Sequence, residues 1–220
     1  MKKLIIDFDS TLVKVETLDK LAEKALENNI DCEKILCEIK NITELGMVGE
    51  ITFPESLSRR IALIRTDRKT VAEVAKTFEQ EISSSVLANL DFFEKNKEDI
   101  FIITGGFEDL IFPTTDKLGI ERDHVLANRF VFNEKGFLTG VDKNSLLANV
   151  NGKSNQIKAL GLQGEIVIVG DGWTDFEVRR SGVANKFIAY VENVSRENVT
   201  READYVAKDF GQVIEYFNNI

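Results

Sequence analysis

The chain has 220 residues, 43% hydrophobic and 30% charged, with a formal net charge of −9 at pH 7. That length holds one α/β core with a modest insertion, and the acidic balance carries no basic footprint for nucleic acid. Apolar runs stay short of the roughly 20 residues that span a bilayer, and Met1-Lys2-Lys3 leads directly into Leu4-Ile5-Ile6-Asp7, too short for a signal-peptide core, so a cytoplasmic location is expected.

Lys3-Leu4-Ile5-Ile6 reads as a buried strand, and strand signals then stop until Ile100. Between them lies sequence of helical period. Leu18, Leu21, Ala22, Ala25 and Leu26 fall on one stripe, as do Ile35, Leu36 and Ile39. Thr52-x-x-Glu55, with Pro54 in the first turn, predicts a capped helix burying Leu57, Ile61 and Ile64. Thr70-x-x-Glu73 predicts another, with Val71, Val74, Ala75 and Phe78 inside. From Ile100 the strand–helix alternation of a parallel sheet takes over. Ile100–Ile103 precedes a helix ending near Gly119, and Pro113 is expected to kink or shorten it. Residues 129–141 read as a hairpin around Asn133-Glu134-Lys135-Gly136. Lys153–Leu160 reads as a helix closed by Gly161, and Ile166–Val169 as a strand leading to a helix closed by Gly182. Short strands at Phe187–Ala189 and Tyr205–Ala207 and a final helix through Val213, Ile214 and Phe217 complete the chain. The expected fold is a doubly wound, mostly parallel Rossmann-like sheet with a small helical cap inserted after the first strand. The core is expected over residues 1–13 and 86–220, and the cap over 14–85.

Three of those strands end in polar motifs: Asp7-Phe8-Asp9-Ser10-Thr11, Thr104-Gly105-Gly106 and Gly170-Asp171-Gly172 with Asp175. A parallel sheet delivers such strand ends to one crevice. Of two carboxylates spaced as Asp7 and Asp9 are, one can attack phosphorus while the other passes a proton to the leaving alkoxide. Asp171 and Asp175 can face one hard cation such as Mg2+, which screens the repulsion between an anionic nucleophile and a phosphate. Backbone N–H groups in a turn at Thr104-Gly105-Gly106 can hold phosphate oxygens. Lys153 opens a helix, a poor place for a cation unless it pairs with Asp7 and the transferring phosphoryl group. The single histidine, His124, precedes the hairpin and is expected to play no part, and Cys32 and Cys37 read as reduced thiols.

On these motifs the chain resembles the haloacid dehalogenase superfamily of phosphatases over essentially its whole length. The resemblance implies that Asp7 is the nucleophile and Asp9 the general acid and base. Thr104 would hold phosphate, Lys153 would steady the nucleophile, and Asp171 and Asp175 would bind Mg2+ with Asp7 and the Asp9 carbonyl. The insertion is similar to that of the members acting on phosphoserine. There, Glu16 would hold the substrate ammonium and Arg60 its carboxylate, with Met47, Gly49 and Phe53 matching the lid pattern. Met47, Phe53, Thr104, Gly105, Gly106 and Thr174 complete the implied substrate contacts. Arginine's planar fork suits a carboxylate, and an apolar lid excludes water. Trp173 departs from the small residue usual there and is expected either to narrow the pocket or to pack outward.

The expected partner is therefore a small phosphorylated metabolite, phosphoserine favoured, with neither nucleic acid nor membrane involved. Three other readings stay open: another small phosphomonoester, phosphotransfer to a second alcohol, and phosphoamino-acid binding without turnover.

Overall fold

The computed structural model describes residues 2–220. Six parallel strands form one sheet: β1 (Lys2–Ile6), β2 (Ile100–Phe107), β3 (Val125–Asn128), β6 (Glu165–Gly170), β7 (Lys186–Tyr190) and β8 (Tyr205–Ala207), in the order β3-β2-β1-β6-β7-β8. The short antiparallel pair β4 (Phe130–Phe132) and β5 (Leu138–Val141) forms a separate hairpin. Alternation along the strands feeds two apolar clusters, one on each face. Leu4, Ile6, Ile102, Val167 and Val169 join one cluster, while Ile5, Phe101, Ile103, Ile166 and Ile168 join the other. Helices cover both faces, so the strands read as unbroken apolar runs.

The insertion supplies α1 (Thr17–Ala25), α2 (Cys32–Met47), α3 (Phe53–Leu63) and α4 (Arg68–Ala75), and α5 (Ser84–Leu87) and α6 (Leu90–Lys95) lead back to the sheet. The chain's two crossings meet in a bridge between Val13 and Ile82. Asn193 clasps them, its Nδ2 donating to the Ser10 carbonyl at 3.1 Å and to Ser83 Oγ at 2.8 Å. The remaining helices are α7 (Glu108–Lys117), α8 (Gly152–Leu160), α9 (Trp173–Arg180), α10 (Glu197–Thr200) and α11 (Phe210–Asn219). Among the described residues no helix is long and apolar enough to cross a membrane.

Three local expectations are corrected. Helix α4 starts at Arg68, capped by the Asp67 side chain, which accepts from Thr70 N at 2.8 Å. Asp67 stands three residues earlier and fills the capping role that Thr70 would have had, while Glu73 turns to Lys69. Strand β2 does not stop at Ile103 but runs through Thr104-Gly105-Gly106 to Phe107, with a register irregularity between Ile103 and Phe107. Gly105 serves close approach rather than a left-handed turn: a Cβ there would lie 2.5 Å from the Phe53 ring. Pro113 lies inside α7, yet the helix runs its full length from Glu108 to Lys117.

Candidate active site

Strand order reverses between β1 and β6, and the crevice at such a switch point receives the carboxyl ends of both strands. Asp7 follows β1 directly, its N–H bonded to the Val169 carbonyl at 2.9 Å. One of its carboxylate oxygens accepts from Phe8 N at 2.8 Å, and the other meets Lys153 Nζ at 2.8 Å. Beyond it Phe8–Leu12 forms a wide turn in which Ser10 takes φ of +52°. That turn brings the Asp9 carboxylate to the start of α1, where it accepts from Thr17 N at 3.1 Å and Thr17 Oγ1 at 3.2 Å. Asp9 thereby satisfies an otherwise free donor at the helix start and is held in one orientation. Ser10 Oγ donates to Glu16 Oε1 at 2.7 Å, which places the acid of the cap beside the same turn.

From β2, Thr104 is buried, and its Oγ1 accepts from Gly106 N at 3.0 Å. Because that bond uses an oxygen lone pair, the hydroxyl proton remains available to another acceptor. Asp171 follows β6 directly and Asp175 lies in the first turn of α9, both close to Asp7. Asp175 packs so tightly on Gly170 that no side chain fits there. Its Oδ2 accepts from Gly172 N at 3.2 Å, and its Oδ1 meets Lys153 Nζ at 2.7 Å.

Carboxylate oxygens of Asp7, Asp171 and Asp175 lie within 4.8 Å of one another, a hard oxygen set suited to a divalent cation of the Mg2+ type. The Asp9 carboxylate is turned to Thr17 and stands outside that cluster.

A chamber of about 20 Å³ opens over Asp7 and is lined by Asp9, Thr104, Gly105, Gly106 and Lys153 from the core. Glu16, Met47, Phe53 and Arg60 close it from the side of the helical insertion, with Thr174 also lining it. The structure thus brings the expected catalytic and substrate residues to one space. Trp173 neither lines this chamber nor packs outward; Gly49 of the insertion lies on it.

Arg60 is 5% exposed, and its guanidinium donates only to neutral oxygens, Thr43 Oγ1 at 3.3 Å and the Ser56 carbonyl at 3.4 Å. Among the described residues no carboxylate forms an ion pair with it within 4.0 Å. Asp19 influences it from beyond that distance and is itself held by Thr43 at 2.9 Å.

Sequence reasoning passed over Thr17, which orients Asp9, and Arg196. Arg196 is buried, pairs with Asp171, and reaches Glu44 of α2 at 3.3 Å. Neither position carries a linear signal: Thr17 reads as an ordinary helix start and Arg196 as a surface charge ahead of α10.

Burial dominates the electrostatics. It pushes Asp9 up to about 7, helped by the charge of Asp7 and opposed by the Thr17 bonds. Glu16 rises to about 8 through burial and its neighbour Asp9. Burial likewise lifts Asp171 to about 7 against Arg196, and Asp175 to about 8 against Lys153. Burial alone would push the Lys153 ammonium down, but Asp175 and Asp7 together hold it above its ordinary value. Each of the four raised carboxyls binds its proton more tightly in the folded chain than in the unfolded one. Stability from this source is full below the unfolded values and is lost as pH rises through the folded ones. In EDTA, Tm is expected to fall by at least about 5 °C between roughly pH 5 and pH 8.5. A divalent cation should restore most of the loss at the upper end, and calorimetry with and without it checks both; a flat profile would contradict the buried-anion reading.

A profile of the haloacid dehalogenase-like hydrolases matches residues 4–180. The chloroplastic phosphoserine phosphatase of Arabidopsis thaliana is 30% identical over 217 residues, covering 97% of this chain and 71% of that protein. The phosphoserine phosphatase of Drosophila melanogaster is 30% identical over 212 residues, 94% of this chain and 75% of the relative. A phosphoserine phosphohydrolase-like protein from Francisella tularensis superposes with a TM-score of 0.89 at 32% identity, covering 98% of this chain and 99% of that one.

Proposed function

The chain belongs to the haloacid dehalogenase-like hydrolases and is a phosphoric monoester hydrolase; from that premise we propose that it hydrolyses O-phosphoserine to serine and phosphate through an aspartyl phosphate on Asp7. The observation that carries the substrate reading is Arg60, a buried guanidinium without a carboxylate partner, facing the same chamber as Asp7. A free amino acid phosphate brings that missing carboxylate, and its ammonium suits Glu16 across the chamber. The names of the relatives support the same reading.

In the first half-reaction an Asp7 carboxylate oxygen attacks phosphorus, and the bond from phosphorus to the serine oxygen breaks. Asp9 gives its proton to that oxygen, so serine leaves neutral at the hydroxyl. In the second, Asp9 takes a proton from water as the water oxygen attacks phosphorus, releasing phosphate and restoring the Asp7 carboxylate. A carboxyl near pKa 7 suits both directions of transfer at neutral pH. The Thr104 hydroxyl donates to a phosphoryl oxygen, and Lys153 offsets the charge gathered on Asp7 and the phosphoryl group. Asp7, Asp171, Asp175 and the Asp9 carbonyl would hold Mg2+, which when bound offsets the repulsion between carboxylate and phosphate. Residues 14–85 act as the cap over a core of residues 1–13 and 86–220, with Met47 and Phe53 sealing the chamber from water.

Arg60→Ala tests this reading. It is expected to lower kcat/KM for phosphoserine roughly a hundredfold, the scale of losing a buried charge-assisted hydrogen-bonded pair. With p-nitrophenyl phosphate, which has no carboxylate, the loss should stay under about threefold. Equal losses on both substrates would exclude Arg60 as the carboxylate reader.

A further inference from the structure

The turn that ends α2 is fastened to the core at several adjacent points. Arg196 donates from Nε and Nη2 to Glu44 Oε2, each at 3.3 Å. Asn198 Nδ2 donates to the Val48 carbonyl at 2.7 Å. Gly49, at φ of +79°, lays its backbone on the Trp173 indole, so close that a Cβ there would sit 2.7 Å from the ring. Among these contacts Met47 reaches inward, its sulfur 3.1 Å from where a Cβ on Gly172 would lie.

The indole is a braced surface. Phe176 meets it edge-on with centroids 4.9 Å apart, and the Arg180 guanidinium lies 5.7 Å from its centroid. Trp173 opens α9, next to Thr174 and Asp175, while Arg196 and Asn198 belong to the connection from β7 to β8. Core residues from two connections thus hold one cap turn, and that turn carries Met47 into the chamber. At about 20 Å³ the chamber has room for little more than a water molecule. A phosphomonoester enters only when the cap is drawn back, and chemistry away from bulk water requires its return.

We propose that Trp173 is a positioning residue for cap closure: its indole is the surface on which Gly49 lands, and Asn198 is the polar half of the same latch. The choice of substrate rests on the phosphoserine reading above, whereas the landing contact does not. Contacts that favour the closed cap help ground state and transition state alike, so their loss appears in KM rather than kcat.

Trp173 is the chain's one tryptophan, so its emission reports the contact directly. With Mg2+ present, inorganic phosphate is expected to lower acrylamide quenching of that emission about twofold, because the closed cap covers the ring. Trp173→Ala should raise KM for phosphoserine about tenfold with kcat within about threefold, and Trp173→Phe should restore KM to within about threefold of the parent. If Trp173→Ala fails to fold, Asn198→Ala carries the same KM test and keeps the fluorophore. In that variant protection should require about fivefold more phosphate. Quenching that ignores phosphate, or an unchanged KM in the folded variants, overturns the proposal. A parent enzyme that cleaves p-nitrophenyl phosphate but ignores phosphoserine, while phosphate still protects its tryptophan, overturns the substrate reading and supports the latch.

Discussion

Asp7→Asn is expected to abolish phosphate release from phosphoserine, with kcat falling roughly 10⁴-fold or more, while the protein stays folded. The substitution keeps the side-chain shape, and the amide oxygen can still accept from Phe8 N, which bonds the carboxylate at 2.8 Å. What it removes is the anionic oxygen that faces Lys153 and would attack phosphorus. It also removes one negative charge from the cluster shared with Asp171 and Asp175 and from the surroundings of Asp9, so folding loses an ion pair but gains relief from repulsion. Burial is the main cause of the raised Asp9 value and the Asp7 charge the second, so Asp9 should titrate lower in the variant. The two outcomes to compare are therefore phosphate release and phosphate binding, the latter read from tryptophan quenching. Lost release with retained binding identifies Asp7 as the nucleophile. Turnover above about 1% of the parent would instead favour direct attack by water, in which Asp7 only shapes the site.

The candidate residues legible in the sequence share a physical reason. Asp7, Thr104 and Asp171 each follow or extend an apolar run, and a buried parallel strand announces itself by such a run without needing context. Once the runs are placed in one sheet, their ends fall in one crevice by topology alone. Lys153 was legible by contrast, as a cation at a helix start with no local reason to be there. The cap was harder to read because helical period gives faces but not partners. Glu16 and Arg60 could be assigned through resemblance, whereas Thr43 and Ser56, which hold Arg60 from α2 and α3, could not. Strand β2 misled for a different reason. Two adjacent glycines usually mark a turn, but here both stay in the strand, and Gly105 leaves room for the Phe53 ring to lie against it. Arg196 and Trp173 belong to a third class, since each acts by touching a segment more than a hundred residues away in the chain. Their meaning exists only after the cap has docked.

Lys153→Met is expected to be the most disruptive single change to stability at neutral pH and to lower kcat roughly 10³-fold. The lysine is 6% exposed and bridges Asp7 Oδ2 at 2.8 Å and Asp175 Oδ1 at 2.7 Å. Methionine fills a similar volume but leaves two buried carboxylates facing each other, an uncompensated arrangement that costs about 3–5 kcal/mol in comparable cases. Protonation offers the relief. Asp175 sits at about 8 through burial even with Lys153 opposing the rise, so without the lysine it should hold its proton still more tightly. A folded-state value raised above the unfolded 3.8 means that the folded chain binds the extra proton, so stability returns as pH falls toward the unfolded value. Urea unfolding in EDTA should therefore show a deficit near the full figure at about pH 8.5 and a much smaller one at about pH 5. Mg2+ should shrink the deficit at high pH by placing positive charge against the same oxygens, without restoring turnover, because it would not replace the role proposed for the lysine toward the phosphoryl group. A deficit that is equal at both pH values would mean that Lys153 stabilises the core by packing rather than by charge. Survival of turnover in Mg2+ would take it out of the catalytic set.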